Sequence, residues 1–394
     1  MPNRILWWSL KMKHIAIMVP SFPVPSETFV ITEIKALQKA GHKVSVITFE
    51  QCENDIELPC DVHVLKKTQL IDTVFSLTEL PFALIVKGIK ASVRQSAIST
   101  TSLLFFATKA AQIIKVNKIE HMHCHFMHNS LAYGVVAAKL ANISVSSIGH
   151  GHDIYVNSAD LQAKVHECDF CVAVCEDMLK LLHRFSPTKA KLLHCGVDTE
   201  IFQPDTLQAN KEIKLLFFGR LVEKKGLSYA ISALANLPVE IRPKLDIIGD
   251  GPLRSALEYQ VDEMGVNDYI DFVGAKKPQD IRNMAKHYDG FLAPFCIAEN
   301  GDKDTGPVVL KEAMAMSLPV ITCDVMGCAE IVDDSVGYLV ESRNTQALTR
   351  AINQYVHLSK EQRSKMRLAA RARVLERFDA FKQAKQLSDW IQQA

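Results

Sequence analysis

The 394-residue sequence lacks any long hydrophobic run, and no stretch reaches the roughly 18 to 20 apolar residues that a helix needs to span a bilayer. It also has no excess charge of either sign, because 45 lysines and arginines balance 44 aspartates and glutamates. A neutral chain offers no electrostatic surface for nucleic acid, so we expect no nucleic-acid partner. The apolar segment 5–10 is too short for a signal peptide, and Met12 is an alternative start of translation.

The sequence has ten cysteines but no second CxxC pair beside Cys168 and Cys171. Most of the ten lie in apolar runs, which is typical of buried free thiols in a reducing compartment and not of a disulfide framework. A zinc-binding cysteine set is disfavoured for the same reason. We therefore predict a cytoplasmic protein with free thiols.

Apolar strands alternate with helical segments along most of the chain. Residues 14–19 form the first predicted strand, and a helix over 27–40 leads to the next strand at 43–48. The pattern restarts with a strand at 213–218, after a polar segment over 199–212 that we interpret as a linker. The repeated βαβ pattern predicts an α/β fold of two Rossmann-like, doubly wound domains with a ligand cleft between them.

The stretch ENGDKDTGPVVLKEAMAMSLPVIT, residues 299–322, has the pattern of an anion site at a helix start. Pro307 fits the first turn of a helix, and Gly306 lets a ligand approach the backbone closely. The free N–H groups of that turn and the helix dipole attract a phosphate. Asp304 and Glu312 then place carboxylates on either side, where they suit the hydroxyls of a ribose or hexose. The alternative is an ordinary helix behind an acidic loop.

A second stretch, FFGRLVEKKG, places two cations after a predicted strand. The strand ends at Gly219, Arg220 follows at once, and Lys225 comes five residues later. Two cations at the carboxyl end of a strand can hold a diphosphate. A solvated basic turn is the alternative for this stretch taken alone.

Two more strand ends carry glycine-rich turns. In IIGDGP, a buried strand runs into Gly249 and Gly251, which is similar to half of a nucleotide-binding loop. In SIGHGHDIY, an apolar strand ends beside His150 and Asp153. Polar groups at strand ends that face a cleft are typical of functional sites, although Asp153 also suits local turn hydrogen bonding.

Two patterns are similar to metal sites, but we predict no metal. His121, His123 and His125 would share one face of a strand, yet neither finger spacing nor a carboxylate partner is evident in the sequence. Residues 302–304 read DxD, a pair of carboxylates that can bind a metal ion. Two cations and a helix start already neutralise a diphosphate, so no ion is required there.

Together these co-linear stretches resemble the GT-B glycosyltransferases of family four, the large retaining group, over roughly residues 13–390. Within that group the chain resembles the exopolysaccharide, colanic-acid-type enzymes. The similar blocks are FPVPSETFVITEIKALQKAGHKV, HCHF, HGHDIY, HCGVDTEIFQP, GRLVEKKG and GDKDTGPVVLKEAMA.

The resemblance implies a retaining, metal-independent transferase without a cofactor, whose substrate is a UDP- or GDP-linked sugar. It also implies a glycan or lipid-linked saccharide acceptor in the synthesis of bacterial exopolysaccharide or lipopolysaccharide. The N-terminal, acceptor-side domain would span residues 1–204, with a structured core from residue 13. The donor domain would span 205–378, and 379–394 would form a helix that packs back on the N-terminal domain.

The resemblance also implies roles for single residues. Arg220 and Lys225 match the diphosphate-binding pair, and His150 matches a histidine near the transferred sugar. Glu312 matches the ribose-binding second member of a Glu-x7-Glu pair. Asp304 stands where the first glutamate is expected, so its carboxylate is one methylene shorter, and Glu299 is a candidate to compensate. The remaining donor-binding residues are Gly219, Gly249, Gly251, Gly306, Pro307, Val308 and Val309.

Residues 80–119 contain six cations and no acidic residue. The cations are interleaved with large apolar residues in the order of a basic, amphipathic helix pair, which suits an anionic membrane surface. We therefore expect peripheral attachment at the inner face of the membrane. A pair of core-facing helices with solvated lysines is the alternative.

Two other classes of function remain open at this point. One is a sugar-nucleotide epimerase or a phosphorylase-like enzyme, and the other is an inactive sugar-nucleotide-binding protein, which the aspartate at 304 makes plausible. A nicotinamide oxidoreductase is disfavoured, because the first strand ends in VPSFPVPSE and not in GxGxxG.

Overall fold

A computed structural model of the protein describes residues 11–53, 57–66, 76–205 and 212–394. In chain order the strands are β1 His14–Phe22, β2 Lys43–Gln51, β3 Asp61–Val64, β4 His121–His125, β5 Ser144–Ile148, β6 Phe170–Ala173, β7 Ala190–Leu192, β8 Lys214–Phe218, β9 Lys244–Ile248, β10 Ile270–Gly274, β11 Gly290–Ala293, β12 Val320–Cys323 and β13 Gly337–Val340. They form two parallel sheets, with the order β3-β2-β1-β4-β5-β6-β7 in the first and β10-β9-β8-β11-β12-β13 in the second.

Helices connect the strands and cover the sheets. In the first half they are Thr28–Lys39, Phe82–Val93, Thr100–Asn117, Asn129–Ala141, Gly151–Tyr155, Leu161–Glu167 and Glu176–His183. In the second half they are Leu227–Ala235, Arg254–Glu263, Pro278–Ala285, Val308–Ala315, Cys328–Ile331, Thr345–His357, Lys360–Arg377 and Ala380–Gln393. In the described part of the chain, no helix combines the length and the hydropathy of a membrane span.

The α/β fold of two doubly wound domains is confirmed. All strand pairs of both sheets are parallel, and β1 and β8 are nearly continuous apolar runs that are buried on both faces. The connection order reverses between β1 and β4 in the first sheet and between β8 and β11 in the second. Ligands of such folds bind beside these reversal points, at the carboxyl ends of the strands.

The last helix, Ala380–Gln393, packs on the first domain and not on the second. Ala384, Leu387 and Ile391 belong to the first hydrophobic core, and Ser388 Oγ lies 2.8 Å from His42 Nε2. The chain thus crosses between the domains twice, at residues 197–199 and 378–380. The two crossings are bonded to each other, because the Ala380 amide donates to the Val197 carbonyl at 2.9 Å.

Several predicted elements differ in extent from the observed ones. Strands Asp61–Val64 and Gly337–Val340 were not predicted, because each is a short edge strand whose sequence carries little periodicity. Pro307 was placed in the first turn of a helix, but it is the residue before Val308–Ala315, with φ −56° and ψ 117°. Part of the predicted linker, residues 206–211, lies outside the described residues.

The segment 80–119 forms the predicted helix pair, but its apolar residues divide between core and surface. Leu103 is fully buried, and Leu104 and Phe106 pack against the same core. The prediction that the apolar residues of this segment face a membrane was therefore wrong for these three. Phe82 and Val116 remain exposed.

Candidate active site

The loops that follow β8 and β11 are joined by a cluster of charges. Lys225 Nζ donates to Asp304 Oδ2 at 2.8 Å, and Lys224 Nζ lies 3.0 Å from Asp302 Oδ2 and 3.7 Å from Asp304 Oδ1. Lys225 Nζ also lies 4.9 Å from the centre of the Phe295 ring. Two predicted site residues that are 79 positions apart are therefore in direct contact at the carboxyl ends of the strands.

In this cluster Asp304 stays ionised, and its negative charge balances the positive charge of Lys225. Burial would raise the pKa of Asp304, but the ammonium groups of Lys225 and Lys224 outweigh burial and hold that pKa below its usual value. The two lysines and the two aspartates 302 and 304 sum to zero charge. A bound diphosphate would therefore compete with Asp304 for Lys225.

Arg220 lies at the end of β8, but it does not join this cluster. Its side chain is exposed and forms no ion pair with any described residue. The predicted pair of cations is thus one lysine held by an aspartate and one arginine that faces solvent.

The glycines of the β8 and β9 loops allow these loops to touch. A Cβ at Gly249, where φ is +141°, would lie 1.9 Å from the Gly219 carbonyl oxygen. A Cβ at Gly251 would lie 2.5 Å from the Leu221 carbonyl oxygen. The observed contacts of Gly249 and Gly251 are therefore with the backbone beside Arg220, so that these glycines shape the loop that carries the arginine.

Helix Val308–Ala315 begins beside the charge cluster. No side chain in the described part of the chain caps this helix, so the amides of its first turn have no side-chain acceptor there. Leu310, Ala313 and Met314 are buried in the second core and fix the helix in place. Val308 and Val309 thus bring amide groups and the positive helix end to the loop of Gly306.

Glu312 and Lys311 lie on the next turn of that helix. Burial raises the pKa of Glu312 to about 7, although Lys225 and Lys311 act in the opposite direction. Lys311 Nζ is fully buried and donates to the carbonyl of Cys195, in the first domain, at 2.8 Å. Glu312 is therefore a carboxylate that changes charge near neutral pH.

The turn of the first domain that carries His150 contacts the loop that carries Lys303 and Asp304. A Cβ at Gly151 would lie 2.3 Å from the Lys303 carbonyl oxygen, and Lys303 Nζ lies 4.0 Å from the centre of the Tyr155 ring. His150 is held by Asp153, whose Oδ1 accepts from the His150 amide at 2.9 Å. Burial lowers the pKa of His150 well below its ordinary value, and His125 adds to the effect, so the imidazole is neutral.

Sequence reasoning missed several residues of this region. Glu330 bridges the domains, because it accepts from the Glu176 amide and lies 2.9 Å from His194 Nε2. Glu33 supplies the carboxylate that the histidines of β4 were said to lack, with Oε1 2.9 Å from His125 Nε2. Glu299 is exposed and takes no part in the cluster. No local pattern marks Glu330 or Glu33, since their partners lie far away in the sequence.

Comparison with known proteins agrees with this architecture. The sequence model of Glycosyltransferase Family 4 matches residues 26–201, and that of Glycosyl transferases group 1 matches residues 198–373. The chain therefore belongs to the GT-B glycosyltransferases of family four.

Two relatives match nearly the whole chain. The colanic acid biosynthesis glycosyltransferase WcaL of Salmonella typhimurium is 24% identical over 96% of this chain and 99% of its own. The amylovoran biosynthesis glycosyltransferase AmsK of Erwinia amylovora is 26% identical over 94% of this chain and 97% of its own.

Solved structures share the fold. HepE of Anabaena, in complex with UDP and glucose, has a TM-score of 0.74 at 17% identity, and 97% of this chain and 100% of that chain are covered. Sucrose-phosphate synthase of Thermosynechococcus elongatus has a TM-score of 0.72 at 19% identity, with 97% and 98% covered.

Proposed function

We propose that this glycosyltransferase moves a sugar from a UDP- or GDP-linked donor to a glycan or lipid-linked saccharide, with retention of the anomeric configuration. The observation that carries the proposal is the contact of Lys225 with Asp304 at the start of helix Val308–Ala315, beside the loop of His150. A place in surface-polysaccharide synthesis is supported by the names of the relatives WcaL and AmsK.

The diphosphate of the donor would replace Asp304 as the partner of Lys225. Its oxygens would accept from the amides of Val308 and Val309, and Arg220 would close on it from the solvent side. Such groups stabilise the charge that develops on the leaving oxygen, and removing one typically costs a factor of about 10² to 10³ in turnover. Two cations and a helix start neutralise the diphosphate, so we propose that donor binding needs no metal ion.

The two carboxylates would bind hydroxyl groups of the donor. Asp304, once released from Lys225, would accept from the sugar, and Glu312 would accept from the ribose. The acceptor oxygen attacks the anomeric carbon on the face from which the diphosphate leaves. The bond to the phosphate oxygen breaks, the bond to the acceptor oxygen forms, and the acceptor proton passes to that phosphate oxygen. The neutral His150 would contact the transferred sugar.

The test begins with a thermal-shift screen against UDP-, GDP- and ADP-sugars, because a ligand of the folded state raises its melting temperature. Transfer by wild type, Lys225→Ala and Arg220→Ala is then measured with the selected donor, and Lys365→Ala, an exposed pair with Glu361, serves as the control. We expect folded variants with little turnover and an unaffected control. Wild-type turnover in both variants would refute the assignment.

Other outcomes separate the competing functions. Isomerisation or loss of the donor without any acceptor would indicate an epimerase or a phosphorylase-like enzyme, and donor binding without transfer would indicate an inactive binder. The anomeric coupling constant of the product, measured by NMR, distinguishes retention from inversion. Transfer that proceeds without added Mg²⁺ or Mn²⁺ supports a donor site that needs no metal ion.

We also propose that the helices Phe82–Val93 and Thr100–Asn117 dock on an anionic membrane surface. The side chains of Phe82, Val93 and Val116 are 80%, 66% and 79% exposed. They are accompanied by Lys90, Lys115 and Lys118, which are exposed and whose ammonium groups form no hydrogen bond or ion pair with another described residue. Exposed aromatic and aliphatic groups among unpaired cations suit a headgroup layer, and each lysine contributes about 1 kcal/mol there.

Flotation with vesicles tests the membrane proposal. We expect wild type to float with vesicles that contain anionic lipid and not with neutral ones. Lys90→Glu combined with Lys115→Glu should lose this flotation, whereas Lys365→Glu combined with Lys180→Glu, which alters two exposed lysines elsewhere, should keep it. Equal flotation with neutral vesicles would remove the proposal.

A further inference from the structure

A second cluster of ionisable side chains lies in the first domain, apart from the lysine–aspartate cluster. His123 and His125 project from the same face of β4, and Glu33 reaches them from helix Thr28–Lys39. Glu33 Oε1 lies 2.9 Å from His125 Nε2 and 3.5 Å from His123 Nε2. One oxygen and two ring nitrogens, all within 4.8 Å of one another, therefore converge on one point.

Among the described residues, His123 Nε2 is a buried polar atom that has no hydrogen-bond partner. The side chain of His123 is fully buried, and its Nδ1 is bonded to Ser146 Oγ at 2.7 Å. If Nε2 carries the proton, it is a buried donor that makes no hydrogen bond, although Glu33 Oε1 lies 3.5 Å away. If Nδ1 carries the proton, a lone pair on Nε2 faces the carboxylate of Glu33. Each tautomer leaves an unfavourable arrangement in a buried site, and a cation between Nε2 and Oε1 removes it.

The neighbours of His123 orient it as a ligand. Ser146 Oγ also lies 2.7 Å from His121 Nε2, and His121 Nδ1 lies 2.7 Å from Ser144 Oγ. This chain of hydroxyls and imidazoles can accept a hydrogen bond from the Nδ1–H of His123, and in that tautomer the Nε2 lone pair faces Glu33. Metal-binding histidines are typically fixed by a hydrogen bond from their other ring nitrogen.

We propose that Glu33 Oε1, His123 Nε2 and His125 Nε2 bind one first-row transition-metal ion of the zinc type. A set of two imidazoles and one carboxylate binds such ions in preference to Mg²⁺ or Ca²⁺. A small cavity lined by Phe29, His194 and Cys195 adjoins Glu33 and His125, which leaves room for a further ligand.

The ion would act on the proposed transfer site through His125. His125 Nδ1 lies 3.3 Å from His150 Nε2. A metal on Nε2 of His125 places the ring proton on Nδ1, so that His125 donates to His150 and fixes its tautomer. The ion is thus a positioning element on the acceptor side. It does not contact the donor diphosphate, and the binding test below is independent of the proposed sugar transfer.

The test uses the full chain after removal of metals with a chelator. Zn²⁺ is titrated by calorimetry, and Co²⁺ is followed by its visible d–d absorption. We expect one equivalent of either ion per chain, without the near-ultraviolet band of a cobalt–thiolate bond. Glu33→Gln and His123→Gln should lose binding by at least about a hundredfold. His166→Gln, at an exposed histidine outside the cluster, should bind as wild type does.

Thermal melting separates lost ligands from lost folding. Zn²⁺ should raise the melting temperature of wild type and of His166→Gln but not of Glu33→Gln, whose side chain keeps its size. If His123→Gln fails to fold, Glu33→Gln alone decides. A wild-type chain that takes up neither ion, a thiolate band, or unchanged binding in Glu33→Gln would each overturn the proposal.

Discussion

The contact of Lys225 with Asp304 predicts that Asp304→Asn separates nucleotide binding from sugar transfer. In the structure, Asp304 neutralises the lysine that the diphosphate would use, and the side chains of Lys225 and Asp304 are only 12% and 18% exposed. The substitution keeps the size of the side chain and removes its charge. The free nucleoside diphosphate should then bind more tightly, while transfer should fall because the sugar loses a carboxylate partner.

The size of the effect follows from the geometry. Two unit charges 4 Å apart interact by about 4 kcal/mol at the effective dielectric constant near a protein surface. The carboxylate of Asp304 would lie about that far from a phosphate bound to Lys225, but movement of Asp304 and hydration offset most of the repulsion. We therefore expect a net gain of about 1.4 kcal/mol, which is tenfold in Kd, and a loss of roughly 10² in turnover.

Calorimetry of UDP or GDP binding at constant ionic strength measures the gain, and a transfer assay measures the loss. Asp302→Asn is the matched control, because Asp302 pairs with Lys224 and not with Lys225. Its effect on nucleotide affinity should be clearly smaller. Unchanged or weaker nucleotide binding by a well-folded Asp304→Asn would refute the reasoning that Lys225 is the diphosphate ligand.

Two further predictions concern pH and backbone packing. Because burial raises the pKa of Glu312 to about 7, its carboxylate loses its charge as the pH falls through that value, so donor affinity should weaken by up to about tenfold per pH unit below it. Kd measured with the intact nucleotide sugar, whose diphosphate diester does not titrate there, should show this slope, and Glu312→Gln should flatten it. Gly249→Ala should cost about 3 kcal/mol of unfolding free energy, since its Cβ would meet the Gly219 carbonyl at 1.9 Å and its φ is +141°. Gly265→Ala, with φ +64° and no atom within 4 Å, should cost only about 1 kcal/mol in the same denaturant titration, and equal costs at both sites would contradict the packing argument.

The fold and the donor-side loops could be predicted because their signals are local. A buried strand that runs into a glycine turn and a helix predicts its own carboxyl end, as at Gly219 and Gly249. Parallel strands bring such ends to one edge of a sheet, so the positions of Lys225 and Asp304 followed from the order of elements. The short edge strands Asp61–Val64 and Gly337–Val340 could not be predicted, since four residues carry too little periodicity.

The partners of individual side chains could not be predicted from the sequence. The ion pair of Lys225 with Asp304 spans 79 positions, and the hydrogen bond between His125 and Glu33 spans 92. No pattern in either segment specifies its partner. The same limit explains why the sequence suggested that Arg220 and Lys225 act as a pair, although Arg220 faces solvent in the structure. Such contacts depend on how helices pack on the sheets, and that packing is decided by the whole core.

The most direct test of the account is a crystal structure of the protein with the nucleoside diphosphate that the thermal-shift screen selects. We expect the β-phosphate within hydrogen-bonding distance of Lys225 Nζ and of the amides of Val308 and Val309, with the ribose hydroxyls at Glu312. A nucleotide bound elsewhere, with the ion pair between Lys225 and Asp304 intact, would contradict the account.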